Sequence, residues 1–160
     1  MKFYTVEDSY IAHLKATDSN VPDNYSGKRP FIGVILEVNS LKYIAPLTSY
    51  KPKQDKIKSS QPTVFKVHER TDPDNKLGMV QINNMIPVLD SVIELLNMEG
   101  QPQPYRSMLY KQYEFLKQNA DELTSRAEKL YELVNNGHTF YSRISCKFKE
   151  LEEASKAFNS

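Results

Sequence analysis

Thr48 and Ser49 stand side by side where an apolar run gives way to lysines, in the stretch APLTSYKPKQDKIKSS. Lys51, Lys53, Lys56 and Lys58 follow them. Hydroxyls donate hydrogen bonds to phosphate oxygens, and lysines pair with phosphates and release their counterions. Tyr25, Tyr43 and Tyr50 add aromatic rings nearby in the sequence. Cations with aromatics suit single-stranded nucleic acid, whose unstacked bases lie on rings. The same residues also fit a surface loop whose lysines only solubilise the protein. What separates the readings is position: these hydroxyls directly follow a strand-like segment, and a rigid element can hold them in place.

The charge distribution bears on that choice more than the total does. Net charge is only +1 over 160 residues. Between Lys28 and Arg70, however, nine basic residues face three acidic ones, Glu37, Asp55 and Glu69. Such clustering makes a positive surface that the sum conceals. Other chemistries lack their residues. His13, His68 and His138 are scattered, and neither HExxH nor CxxC is present, so no metal and no cofactor is expected. No glycine opens a Walker loop and no GxSxG elbow appears. The single cysteine, Cys146, excludes an internal disulfide and fits a reducing compartment. The acidic start and the lack of a long apolar run argue against a signal peptide and a membrane span, so a cytoplasmic protein is expected.

The elements that must position these residues change period at mid-chain. Residues 1–6 read as a strand. A helix follows through Tyr10, Ile11 and Leu14, with Thr5 and Asp8 in capping-box spacing. Residues 18–30 are rich in turn formers. FIGVILEV and LKYIAPLT read as a hairpin joined by Asn39-Ser40, with Leu41, Tyr43, Ala45 and Leu47 alternating. Pro46 lacks an N–H, which puts it at a strand edge or end. TVFKVHE, a turn at DPDN, LGMVQINN and a possible continuation in MIPVLD complete the strands. Helical spacing then links Tyr105, Met108, Leu109, Tyr113 and Leu116, and again Leu123, Ala127, Leu130 and Val134, with Gly137 as a stop. Ile144, Phe148, Leu151 and Phe158 form a third stretch. Strands first and helices later predict an α+β fold built on a small bent sheet or barrel. One domain is expected over residues 1–160, with strands and the first helix in 1–97 and helices in 104–158.

Four blocks, MKFYTV, RPFIGVILEVNSLKYIAPLTSYK, NKLGMVQINNMIPV and YRSMLYKQYEF, resemble the ToxN/AbiQ family of type III toxin–antitoxin systems. The resemblance runs from Met1 to near Asn119. It implies an SH3-like barrel related to the MazF/Kid toxins, with added helices. It also implies a metal-independent endoribonuclease, some relatives of which act in abortive infection against phage. The implied partner is a repetitive RNA antitoxin that folds into pseudoknots, is cut into single repeats and then inhibits the toxin. Toxin and RNA would close into a ring, often three of each.

Residue by residue, the family's essential serine falls on Ser49, its neighbouring threonine on Thr48 and its lysine on Lys51. Tyr10 matches a tyrosine of the first helix, and Arg29 matches the family's basic residue, with Lys28 adjacent as a substitute. Those positions form the expected catalytic set: Ser49, Thr48, Lys51, Arg29 and Tyr10. RNA contacts are expected from Tyr25, Lys28, Tyr50, Lys53, Lys56, Lys58, Tyr110 and Lys111. Such an enzyme uses the ribose 2′-OH as its internal nucleophile and leaves a 2′,3′-cyclic phosphate and a 5′-OH. Its protein groups must then activate that hydroxyl, stabilise charge at phosphorus and protonate the leaving oxygen. Packing alone would also account for Tyr10 and Tyr110, which lie on helical apolar stripes. A non-catalytic RNA-binding module on the same scaffold stays open beside the enzyme.

Overall fold

The structure is a computed structural model and describes residues 2–22 and 31–158. Strand β1 (Phe3–Val6) leads into helix α1 (Asp8–Thr17). β2 (Ile32–Val38) and β3 (Leu41–Ser49) form a hairpin, as do β4 (Val64–Glu69) and β5 (Asp72–Gln81). Two short strands follow, β6 (Ile86–Pro87) and β7 (Ile93–Leu95). The second half is helical: α2 (Tyr105–Gln118), α3 (Ala120–Asn135), α4 (Thr139–Ile144) and α5 (Phe148–Lys156). The α+β expectation therefore holds.

All strand pairs are antiparallel, in the order β4-β5-β3-β2-β1-β7, with β6 added on β3. Among the described residues nothing pairs β4 with β7, so the sheet does not close as the expected barrel would. The β2–β3 turn is Asn39-Ser40, and both residues sit at positive φ (52° and 62°). That conformation matches the right-handed twist of the two strands.

β3 is the central strand. Its residues 41–46 pair with β2, Tyr43 and Ile44 pair with β6, and Leu47–Ser49 pair with β5. Pro46 is therefore neither at an outer edge nor at a strand end. It marks the place where β3 exchanges one neighbour for another, so its missing N–H costs no continuous ladder. Opposite Pro46 lies Gly33, where a Cβ would come within 2.3 Å of the Ala45 carbonyl oxygen. The expected alternation along β3 is also absent. Tyr43, Ile44, Ala45 and Pro46 are all buried, while Leu41 is 40% exposed. Both faces of the strand's middle are therefore covered, the Tyr43 side by α3 and α5.

The helical half fixes β3. Tyr43 on β3 and Tyr131 on α3 both donate hydroxyl hydrogen bonds to Glu152 Oε2 on α5, at 2.6 and 2.7 Å. Glu152 is only 8% exposed, and Lys149 adds a weak 3.8 Å pairing to its other oxygen. A buried carboxylate needs such donors, and here they tie three elements together. Burial first, and then the bond to Glu152, push the Tyr43 phenol far above its ordinary range.

Three local expectations shift. Glu7 caps α1, and Thr5 instead donates to the Glu94 carbonyl across the β1–β7 pair. The β4–β5 turn is Arg70-Thr71, because Glu69 pairs with Asp72; DPDN already lies inside β5. The third helical stretch divides into α4 and α5. Between them the Cys146 N–H goes to the Asn83 carbonyl and the Lys147 N–H goes to the buried Asp18 carboxylate. Those amides are spent on the body of the protein and cannot continue a helix.

Candidate active site

The central strand ends at Ser49. The next residues fold into a 3-10 turn, Pro52–Lys56, entered through the extended Lys51. Proline at the start fits this turn, since its missing N–H would have no partner there. Gln54 in that turn is only 5% exposed. Its Nε2 donates to the Ser49 carbonyl oxygen at 2.9 Å and more weakly to Thr48 Oγ1 at 3.4 Å. Thr48 Oγ1 in turn donates to the Met79 carbonyl at 3.3 Å. The loop thus folds back on the strand end and locks Thr48. The Ser49 hydroxyl, by contrast, is exposed and has no hydrogen-bond partner among the described residues.

The β5 side of this end depends on Gly78. It pairs with Ser49 on one side and Val67 on the other. Its φ is +138°, and a Cβ there would stand 1.8 Å from the Thr48 carbonyl oxygen. Only glycine lets the three backbones meet here. Next to it the β4–β5 ladder slips at Val67 and His68, the kind of bulge that re-aims side chains.

Beyond Ser49 lies a polar cluster. The Tyr50 hydroxyl donates to Asp55 Oδ2 at 2.7 Å. Lys76 on β5 donates to Asp55 Oδ1 at 2.9 Å and its Nζ stands 5.5 Å from the centre of the Tyr50 ring. The Lys76 bond first, and then the Tyr50 bond, hold the Asp55 carboxyl below its ordinary range. The bond to Asp55 raises the Tyr50 phenol. A cavity of about 300 Å³ opens beside this cluster, lined by Tyr50, Gln54, Lys66, His68, Lys76 and Gly78 among others.

A pH dependence follows. A carboxyl with a lowered folded pKa stabilises the fold above its unfolded pKa, and that contribution is lost as pH falls through the folded value. Acidification below the carboxylate's ordinary 3.8 is therefore expected to release Tyr50 and Lys76 from Asp55. Carboxyl chemical shifts followed by NMR should show Asp55 titrating lower than exposed aspartates, and Lys76→Met should move it back up.

Lys51, Lys53, Lys56 and Lys58 are exposed and form no ion pair among the described residues, so their charge is available to an anion. Lys56 and Lys58 border a separate groove with Met79 and, on α4, Phe140 and Ile144. The remaining predicted residues are placed differently. Tyr10 is fully buried, with its hydroxyl bonded to the Pro87 carbonyl (2.5 Å) and to Ser155 Oγ (2.9 Å), and its ring edge-on to Phe158. Burial raises its phenol to about 12. In this structure Tyr10 props β6, the strand that pairs with β3.

Tyr110 donates to the Glu99 carboxylate, and Lys111 pairs with Glu69 at 2.9 Å. Beside them the buried Gln112 donates to the Leu77 carbonyl, one residue before Gly78. The MLYKQ block thus docks α2 on the β4–β5 hairpin. Tyr25, Lys28 and Arg29 lie outside the described residues. Sequence reasoning missed Gln54, His68 and Lys76. Gln54 and Lys76 carry no motif, and His68 was one of three scattered histidines. The strand pairing and the loop's return, neither visible in spacing, bring them to the site.

Comparison with known proteins bears on the same residues. A family model for Toxin ToxN of type III toxin–antitoxin systems matches residues 2–156. Endoribonuclease ToxN of Pectobacterium atrosepticum is 39% identical over 163 residues, which cover 99% of this chain and 94% of that protein. A solved structure from work on a processed non-coding RNA that regulates a bacterial antiviral system superposes with a TM-score of 0.90, at 36% identity, over the whole of both chains. Another, from work on selective toxin inhibition by a non-coding RNA pseudoknot in type III systems, gives 0.80 at 32% identity and covers 98% of this chain and 96% of that one.

Proposed function

The chain belongs to the ToxN family of type III toxin–antitoxin endoribonucleases, and from that premise we propose that it cuts RNA at the Ser49 end of β3. The scaffold reads as a variant of the small SH3-like sheet of the MazF/Kid toxins, opened between β4 and β7. The RNA antitoxin is a pseudoknot that the toxin processes from repeats and that then occupies the site, with toxin and RNA closing into a ring. Its setting is the cytoplasm and its use is defence against phage. What supports this partner is the regulation by non-coding RNA attached to the similar solved structures.

One observation carries the site: an exposed Ser49 hydroxyl, without a partner among the described residues, on a strand end that Gln54 and Gly78 brace. Rigid support gives a hydrogen-bond donor its value in the transition state. In the reaction the ribose 2′-oxygen bonds to phosphorus and the bond to the 5′-oxygen breaks. The products are a 2′,3′-cyclic phosphate and a 5′-OH. Ser49 donates to a phosphate oxygen as charge builds on it. Lys51 neutralises that charge, and the proton that leaves the 2′-OH is balanced by the one the departing 5′-oxygen takes up. Lys53, Lys56 and Lys58 guide the RNA backbone. Lys28 or Arg29 supplies a further phosphate contact. Ser49 is not a covalent nucleophile, because the 2′-OH already fills that role.

Purified protein should cleave RNA at an undiminished rate in EDTA, and a single 2′-deoxynucleotide at the cut position should block cleavage at that bond alone. Strict dependence on added divalent metal, or normal cutting of the deoxy bond, would refute the mechanism.

A further inference from the structure

We propose that the cavity beside Ser49 is a nucleobase pocket that reads one base next to the cut bond, with His68 as its specificity-determining residue. This rests on the reading of Ser49 as the cleavage site. At about 300 Å³ the cavity is at the small end for ligand pockets and suits one nucleoside rather than a stretch of chain. Gly78 lines it and stands opposite Ser49 in register, so its edge lies about one strand spacing, ~4.8 Å, from the serine. A base belonging to the cleaved nucleotide or its neighbour is the group that reaches it.

The orientation of His68 is fixed. Its Nδ1 is 2.8 Å from the Glu69 carbonyl oxygen, and its ring lies edge-on to Phe115 with centroids 4.4 Å apart. A carbonyl only accepts, so Nδ1 carries a proton, and the tautomer that this bond selects has Nε2 as its acceptor. Gln54 adds a second acceptor: its Nε2 is spent on the strand end, while its Oε1 has no partner among the described residues. Tyr50 offers an aromatic surface for the base, and Lys66, which forms no ion pair among the described residues, brings positive charge for the adjoining phosphates. Two fixed acceptors select for an exocyclic amine, which adenine, cytosine and guanine carry and uracil lacks. A site built to hydrogen-bond a group rejects the analogue without it.

The test compares kcat/KM on oligonucleotides that differ only at the nucleotides flanking the cut, with each natural base and with an abasic residue. The wild type should cut the abasic substrate, and the uracil substrate at the same position, roughly ten- to hundredfold more slowly than the best amine-bearing base. His68→Ala should cut them all at nearly the slow rate, so that the base no longer matters. His68→Gln, which keeps an acceptor on a side chain of similar reach, should restore part of the preference. Wild-type indifference to the abasic change, a preference for uracil, or full discrimination by folded His68→Ala would each overturn the proposal. Should His68→Ala fail to fold, the wild-type series and His68→Gln decide by the same criteria. Failure of the cleavage site itself reads differently: Ser49→Ala would then remain active, whatever the pocket variants do.

Discussion

Ser49→Ala should lower the RNA cleavage rate by roughly 10²–10³-fold, the usual cost of removing one donor aimed at developing charge. Its melting temperature should stay close to the wild type's. The hydroxyl is exposed and bonds to none of the described residues, while the loop's grip on this strand end runs through the backbone oxygen, which alanine keeps. Antitoxin RNA binding should survive, because the exposed lysines remain. In cells the variant should lose toxicity at normal abundance. A variant that unfolds would instead show that Ser49 is structural. One that folds and cuts at the wild-type rate would remove it from the chemistry.

Gly78→Ala should give the largest loss of stability, about 3–5 kcal/mol from backbone strain and overpacking together. The methyl group would overlap the Thr48 carbonyl oxygen, which is backbone and cannot swing aside as a side chain could. Either β5 separates from β3, or the end of β3 moves with Ser49 on it. Protein that remains folded should therefore cut poorly as well. Gly137 supplies the control. Its φ is +80°, yet nothing lies within 4 Å of a Cβ placed there. Gly137→Ala should cost only the conformational term, about 1–2 kcal/mol, and leave cleavage alone. Chemical denaturation of both variants beside the wild type checks the difference. Equal losses would mean that Gly78 matters for its φ alone and not for the close approach of strands at the site.

The sequence exposed the parts of this site that are local, and hid those made by distant contacts. The β2–β3 hairpin was legible because its apolar runs and its Asn39-Ser40 turn obey short-range rules. Thr48, Ser49 and the lysines were legible as one group, since they share a strand end and the turn after it. The place of β3 was not: Pro46 suggested an edge or an end, but β3 changes neighbours there and continues. No spacing rule foresees that a proline will fall at such an exchange. Tyr10 shows the reverse problem. Family resemblance pointed to its chemistry and said nothing of its depth, which the apolar helical stripe did indicate. Glu152 is a charged helix residue that nothing in its local sequence marks as buried. Its burial depends on Tyr43 and Tyr131, which lie 109 and 21 residues away in sequence. Gln54 sits in a lysine-rich run and gave no sign that its amide would be buried against the strand it follows.

Mapping the termini of cut RNA tests the central claim most directly. The same RNA is incubated in EDTA with wild type and with folded Ser49→Ala, and the new ends are identified chemically. Wild type should produce 2′,3′-cyclic phosphates and 5′-hydroxyls, and both should vanish with the variant. Uncut RNA in both samples, with binding intact, would leave the protein a binding module. The same cyclic ends in both, at the same rate, would contradict cleavage at Ser49.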